Sequence, residues 1–304
     1  MIKVIRLKRA AAVCIASVLM IACAVAVGSE RARTVSGEYI KWVDFTPTTS
    51  ALRQALEIDI KSHDSDTPVG WIELLAYAAC KNGGKFTGGR DKYITQLYER
   101  IQNAEDIEAI TADMKHYNYF YEAYSAVLSG YVGYNDDGEY GVLVRSPFAA
   151  GYYYSHYDDF GVSRTYGYKR RHLGHDMMGS VGTPIVAVEG GRIEALGWNQ
   201  YGGWRVGIRS NDGRRYYYYA HLRKDKPFAE GLKEGDTVKA GQLIGYLGMT
   251  GYSSKENVNN INTPHLHFGI QLIFDESQKD GVNQIWIDCY QIINFLEKYR
   301  ASVA

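Results

Sequence analysis

Two short segments concentrate side chains that can bind a metal or move a proton. His172-Leu173-Gly174-His175-Asp176 places two histidines and an aspartate within five positions. His265-Leu266-His267 adds two more histidines, and His221 lies between the segments. A helical HExxH zinc motif is excluded, because no glutamate follows His172 and Gly174, Gly179 and Gly182 make a poor helix. In an extended chain, residues 172, 174 and 176 face one way and 175 the other. His172 and Asp176 can then share a metal, with Gly174 letting an ion or substrate come close, while His175 points elsewhere. The same parity puts Leu266, Phe268, Ile270, Leu272 and Phe274 on an apolar face, and His265, His267, Gly269 and Gln271 on a polar one. Three nitrogen or oxygen ligands and an open water position define a catalytic zinc site. The histidines and aspartate here exceed that need, and the surplus imidazoles suit proton transfer. Parity alone does not choose which histidine of His265-Leu266-His267 takes the metal.

These segments need elements to hold them. Thr183–Val188, Arg192–Leu196, Trp204–Ile208, Arg215–Ala220 and Leu266–Phe274 read as strands, with Asn211-Asp212-Gly213 as a hairpin turn. Upstream the pattern is helical. Thr46 is placed to cap a helix with Pro47 at its first position, and Leu52, Leu56 and Ile60 recur on one face. Pro68 opens a second helix, which Asn82-Gly83-Gly84 stops. Further helices are expected across 93–101, 105–114 and 117–128, and a last one at 288–298. The fold class is therefore α+β: a membrane-anchor helix, a small all-α domain, then an antiparallel all-β domain with a C-terminal helix. The expected divisions are 1–29 signal anchor or signal peptide, 30–46 stem, 47–130 helical domain, 131–287 β domain, and 288–304 C-terminal helix and tail.

Length and composition bound the rest. The chain has 304 residues, enough for one large or two ordinary domains. Lysine plus arginine equals aspartate plus glutamate at 34 each, which gives no reason to expect a nucleic-acid partner. The 26 tyrosines, with runs at Tyr152–Tyr154 and Tyr216–Tyr219, fit strand packing, and their rings can also stack on sugars. At the N-terminus Lys3, Arg6, Lys8 and Arg9 precede an uncharged run from Ala10 to Gly28. That run is long enough to span a bilayer, and the basic flank stays inside. The expectation is an extracytoplasmic body anchored in the membrane, or a secreted one if the segment is cleaved. Outside that run only Cys80 and Cys289 remain, which makes neither a CxxC zinc motif nor a disulfide framework.

Residues 145–275 resemble the lysostaphin-type zinc endopeptidases, also called LytM-like or β-lytic metallopeptidases. The resemblance runs in order through Asp159-Phe160-Gly161, His172–Asp176, Gly182-Thr183-Pro184-Ile185-Val186-Ala187, Tyr219-Ala220-His221-Leu222, Gly241-Gln242-Leu243-Ile244-Gly245 and His265-Leu266-His267-Phe268. It implies an antiparallel β fold whose cleft cuts peptide bonds of bacterial peptidoglycan. It implies zinc ligands His172, Asp176 and His267, with His221 and His265 as the catalytic pair outside the ligand set. His175 stands where that family has a hydrophobic residue, and Gly269 where an acidic one often follows. The polar segment Tyr252–Asn262 is longer than the family's short link and is expected to form a mobile, exposed rim of the cleft.

The expected activity is zinc-dependent hydrolysis of peptidoglycan stem peptides or cross-bridges. An alternative from a different class is a non-catalytic LytM-like module that binds wall and regulates another hydrolase. All five site positions are present, which favours the enzyme. The helical domain could then serve a protein partner. A sugar-cleaving activity in residues 47–130 rests only on Glu57 and Glu73, which look like any solvated helix face.

Overall fold

Strand alternation sets the architecture. The computed structural model describes residues 39–166 and 168–303. The expected anchor, residues 1–29, and most of the stem lie outside the described residues. Among the described residues no helix is long and apolar enough to cross a membrane. The central sheet has eight strands: β1 (Ser155–His156), β2 (His175–Met178), β3 (Gly191–Asn199), β4 (Gly203–Ser210), β5 (Arg215–Ala220), β6 (Thr237–Val238), β7 (His265–Leu272) and β8 (Ile285–Ile287). They run in the order β6-β3-β4-β5-β7-β2-β1, all antiparallel. β8 pairs with the second half of β7, on the edge whose first half takes β2.

One face of this sheet is apolar. Tyr217 and Tyr219 on β5 and Leu266, Phe268, Ile270 and Leu272 on β7 are fully buried on it. The opposite face carries the polar residues of the same strands. The predicted alternation of β7 is therefore correct, and β5 coincides with the predicted strand. The tyrosine run divides between the faces, because Tyr217 and Tyr219 pack in the core while Tyr216 and Tyr218 turn to the polar face. The hairpin turn also forms, with Gly213 at φ +75°.

Among the described residues six α-helices accompany the sheet: α1 (Thr49–Ser62), α2 (Trp71–Asn82), α3 (Lys92–Gln102), α4 (Ile107–Thr111), α5 (Tyr117–Leu128) and α6 (Tyr290–Leu296). Gly83 ends α2 in the left-handed conformation, as its sequence signal predicts. The start of α1 is displaced from the expected cap. Thr48 is the cap, accepting from the Ala51 amide, while Thr46 donates its hydroxyl to the Gly84 carbonyl. α2 begins at Trp71 rather than Pro68, and Asp59 accepts the Trp71 amide there. α4 is far shorter than 105–114, since it buries no residue that would reward extension.

The expected boundary near residue 130 is not a break in packing. Residues 40–304 cluster as one unit, and helices and sheet share one core. Trp71 of α2 packs against Tyr131 and against Phe295 of α6. Arg215 of β5, 1% exposed, donates to the carbonyls of Ala126 and Ser129 at the end of α5. It also grips Glu189 through two nitrogens, at 2.9 and 3.0 Å. A guanidinium on the last carbonyls of a helix satisfies orphan acceptors that would otherwise be buried. Cys80 and Cys289 are both free thiols, and Cys289 is fully buried.

Candidate metal centre and its cleft

Strand register brings the ligands together. Asp176 of β2 stands directly opposite His267 of β7, and β7 in turn places His267 opposite Ala220 of β5. Residues opposite one another on antiparallel strands share a face. His172 precedes β2 by one short turn and reaches the same point. Its Nε2 lies 3.0 Å from Asp176 Oδ1 and 2.9 Å from His267 Nδ1, and Asp176 Oδ1 lies 3.0 Å from His267 Nδ1. Ligand atoms at 2.0–2.1 Å from a tetrahedral zinc are about 3.3 Å apart. The trio therefore has nearly the dimensions of one face of such a site. Two imidazoles and a carboxylate are also a donor set suited to it. Among the described residues this is the group of at least three histidine, cysteine or acidic side chains whose ligand atoms converge this way.

Gly174 is needed here, for a reason other than access of an ion. A Cβ at this position would lie 2.6 Å from the His267 imidazole and 2.8 Å from the Phe268 carbonyl. The space is taken by the ligand ring itself. Gly269, where the family resemblance suggests an acidic residue, is covered by Trp286, whose ring would lie 2.8 Å from an added Cβ.

Backbone carbonyls fix the tautomers. His172 Nδ1–H donates to the Asp159 carbonyl at 3.1 Å, leaving Nε2 for the centre. His221 Nδ1–H donates to the Thr250 carbonyl, and His265 Nδ1–H to the Thr263 carbonyl, each at 2.8 Å. A carbonyl only accepts, so each Nδ1 carries a proton and the Nε2 atom is the one left on the far side of each ring. The His221 and His265 rings are 4.8 Å apart, and His221 lies 5.8 Å from His267. His221 is held at φ +62°, a left-handed conformation uncommon outside glycine. All five predicted site residues thus meet at one point. His175 turns to the core side as parity requires, where its Nε2 meets His156 Nδ1 at 2.7 Å.

Two residues missed by the sequence reading buttress the trio. Asp159, fully buried at its side chain, lies 3.2 Å from His172 Nδ1 and 3.5 Å from His175 Nδ1. Arg164 bridges Asp159 and Asp176, at 2.8 and 3.1 Å. Asp159 occurs in one of the motifs noted above, but nothing in that motif states its role. In the metal-free protein, burial alone would raise the Asp159 carboxyl, yet hydrogen bonds from His172 and His175 outweigh it and bring the group to about 2. Burial likewise opposes but does not overcome the bonds that hold Asp176 far below the usual carboxylate range. Burial would lower His172, but Asp159 and Asp176 lift it to about 9. His221 is pushed well down by burial and then by His265 and His267, so it is neutral at pH 7.

The centre opens into a cleft of about 760 Å³ along the polar face of the sheet. Tyr216, Tyr218 and Trp286 line its floor and far end, and Tyr252 and Arg170 form one wall. Arg170 bonds the Tyr252 hydroxyl and stacks over the rings of Tyr201 and Tyr252.

The Tyr252–Asn262 segment does rim the cleft, but it is pinned rather than a loose spacer. The Asn257 side chain accepts from Trp204 Nε1 and the Asp225 amide, both at 2.9 Å, and donates to Asp225 Oδ1. The Tyr252 and Ser253 amides donate to the Tyr201 and Gln200 carbonyls.

The model of peptidase family M23 matches residues 170–283. The chain carries an M23 peptidase domain. The L-Ala–D-Glu endopeptidase of Bacillus subtilis is 36% identical to it over 148 residues, which are 48% of this chain and 42% of that protein. Lysostaphin of Staphylococcus simulans is 43% identical over 98 residues, 32% of this chain and 17% of its own length. The chain thus spans less than half the length of these curated relatives. A solved structure from Ruminococcus gnavus, provisionally described as a glycyl-glycine endopeptidase lytM, superposes with a TM-score of 0.57 at 25% identity. That match covers 85% of this chain and 91% of the other, so it takes in helices as well as the M23 sheet.

Proposed function

We propose that the protein is a zinc-dependent endopeptidase that hydrolyses peptide bonds of bacterial peptidoglycan, in stem peptides or cross-bridges. The observation that carries this reading is the convergence of His172, Asp176 and His267 within 3.0 Å of one another, with His221 and His265 alongside. The names of the relatives support the substrate class. They point to two kinds of bond, one beside an acidic D-Glu residue and one between glycines.

His172, Asp176 and His267 would hold zinc, which when bound supplies Lewis acidity and lowers the pKa of a bound water to about 7. The remaining steps belong to the chain. His221 is a neutral acceptor at Nε2, and either it or His265 takes the proton of the attacking water. Once protonated, that imidazole donates to the developing oxyanion or returns the proton to the departing amine. Asp159 and Arg164 hold His172 and Asp176 in place while charge changes at the centre. Tyr252 and Arg170 wall the cleft over the reacting bond.

The non-catalytic reading, a wall-binding or regulatory module, is disfavoured by the neutral His221 imidazole and the His265 ring held beside the trio, which a purely binding site does not require. The body is proposed to work outside the cytoplasm, tethered or secreted through residues 1–29. Zinc analysis and digestion of purified cell wall test the main reading. About one zinc per chain and release of new amino groups that a chelator abolishes are expected. Wall left intact by the zinc-loaded protein would sink it. Protease treatment of intact cells tests the location, and a protected, soluble protein would overturn it.

A further inference from the structure

The cleft beside the metal centre is strongly cationic. Six arginine and lysine side chains line it, against the acidic Glu194 and Asp280. Most of these cations are engaged. Arg164 holds Asp159 and Asp176, Arg209 holds Glu194 through two nitrogens, Lys279 pairs with Glu276, and Arg170 is stacked and bonded on Tyr252. Arg171 is exposed at the rim. Arg205 is different. It is half-buried in the cleft wall and makes no hydrogen bond or ion pair among the described residues.

Its placement follows from register. β4 pairs Val206 with Tyr219 and Gly207 with Tyr218, so the next step along the same register sets Arg205 beside Ala220. Ala220 is opposite His267, and His267 is opposite Asp176. Arg205, Ala220, His267 and Asp176 therefore form one cross-strand row. Adjacent strands lie about 4.8 Å apart, which puts Arg205 about 10 Å from His267 along the backbone. The residue between them is alanine, and the Tyr218 ring, 5.9 Å from the His267 ring, flanks the row on the same face. Gly207, next along β4 on the same face, is covered by the Tyr216 ring, which bounds the other side.

A cleft-lining guanidinium with no acceptor on the protein is available to a ligand, and its planar fork matches a carboxylate. We propose that Arg205 binds a free carboxylate of the substrate, so that this enzyme selects a peptide with an acidic residue beside the cleaved bond over a neutral glycine bridge. The inference rests on the endopeptidase reading above and adds the substrate class. The other unengaged cation, Arg171, lies at the rim and would meet the same peptide further from the reacting bond.

The test uses the zinc-loaded full chain and two synthetic wall peptides. They are identical except that the carboxyl of the residue beside the cleaved bond is free in one and amidated in the other. Wild type is expected to favour the free acid by about 10- to 100-fold in kcat/KM, the range of a charge-assisted pair. Arg205→Gln should bring that ratio toward one, mainly through KM on the acid peptide, and Arg205→Lys should restore part of it. Binding to metal-free protein, followed by tryptophan fluorescence, should show the same preference and the same loss. A wild type that digests wall in a chelator-sensitive way but shows no acid preference overturns this inference and leaves the endopeptidase reading standing. So does an Arg205→Gln protein that keeps the preference. A wild type that cuts neither wall nor peptides sinks both.

Discussion

Asp176 and His267 face each other across neighbouring antiparallel strands, with Oδ1 and Nδ1 3.0 Å apart. The metal centre is thus built into the hydrogen-bonded ladder rather than hung on loops, and only His172 reaches it from outside a strand. If these three side chains are the ion's only protein ligands, as proposed, replacing His172, Asp176 or His267 by alanine should lower zinc occupancy and activity together. His221→Ala should keep its zinc and lose about 10²- to 10⁴-fold in kcat. Elemental analysis beside wall digestion separates the two classes, and zinc loss in the His221 variant would refute the assignment.

Asp159 is outside the proposed ligand trio, yet its carboxylate lies 3.2 Å from His172 Nδ1. Asp159→Asn preserves shape and removes the charge. Zinc affinity should fall about 10- to 100-fold by competition with a chelating dye, with all three ligands still present. An unchanged affinity would show that the main-chain carbonyl of Asp159 suffices to hold the ring.

Arg215 offers a stability test. Removing one partner of a buried ion pair leaves the other uncompensated, so Arg215→Leu should destabilise by about 3–5 kcal/mol in denaturant titration. The same network predicts a pH effect. Burial would raise Asp212, but the neighbouring Arg215 outweighs it and holds the carboxyl below its usual range. A depressed carboxyl contributes stability above its unfolded value near 3.9, and that contribution is lost as pH falls through the lower folded value. The denaturation midpoint should therefore drop below about pH 4, and less steeply in Asp212→Asn. Parallel profiles for the two proteins would count against it.

Asn257 is the side chain that ties the middle of the rim segment to the body of the domain. Asn257→Ala removes the acceptor for Trp204 Nε1 and the Asp225 amide, and should cost about 1–3 kcal/mol locally. Amide exchange should rise across 252–262 while zinc content stays constant. Mass spectrometry of digested walls should show altered product ratios, since Tyr252 is part of the cleft wall. Unchanged exchange would mean that the backbone bonds to Tyr201 and Gln200 fix the segment unaided.

Much of the centre was legible because its logic is local. Parity within 172–176 and within 265–267 orients the side chains from two-residue alternation alone, and the same rule sends His175 to the core. It could also have found Arg205, since Val206 and Ile208 on β4 are core residues and their neighbours must turn to the cleft. What stayed hidden depends on contacts distant in sequence. Asp159 meets His172 only after the chain between them folds back. Thr49 on α1 donates to the Gln291 carboxamide on α6, 242 residues away, and no periodicity announces that. The pinning of Asn257 is equally invisible, because a polar asparagine-rich stretch has the composition of a free loop until Trp204 is placed beneath it.

Arg215 on the sheet reaching the end of α5 bears on how far this catalytic unit is portable. A fragment beginning after residue 130 would carry Glu189, Arg215 and Tyr217 to the surface of the sheet and strip the cover from Tyr131 and Phe295. Such a fragment would start with a charged cluster embedded in exposed aromatic surface, which favours aggregation. Fusions that graft this M23 domain onto another module should therefore splice upstream of residue 40 and treat the helices as part of the cassette.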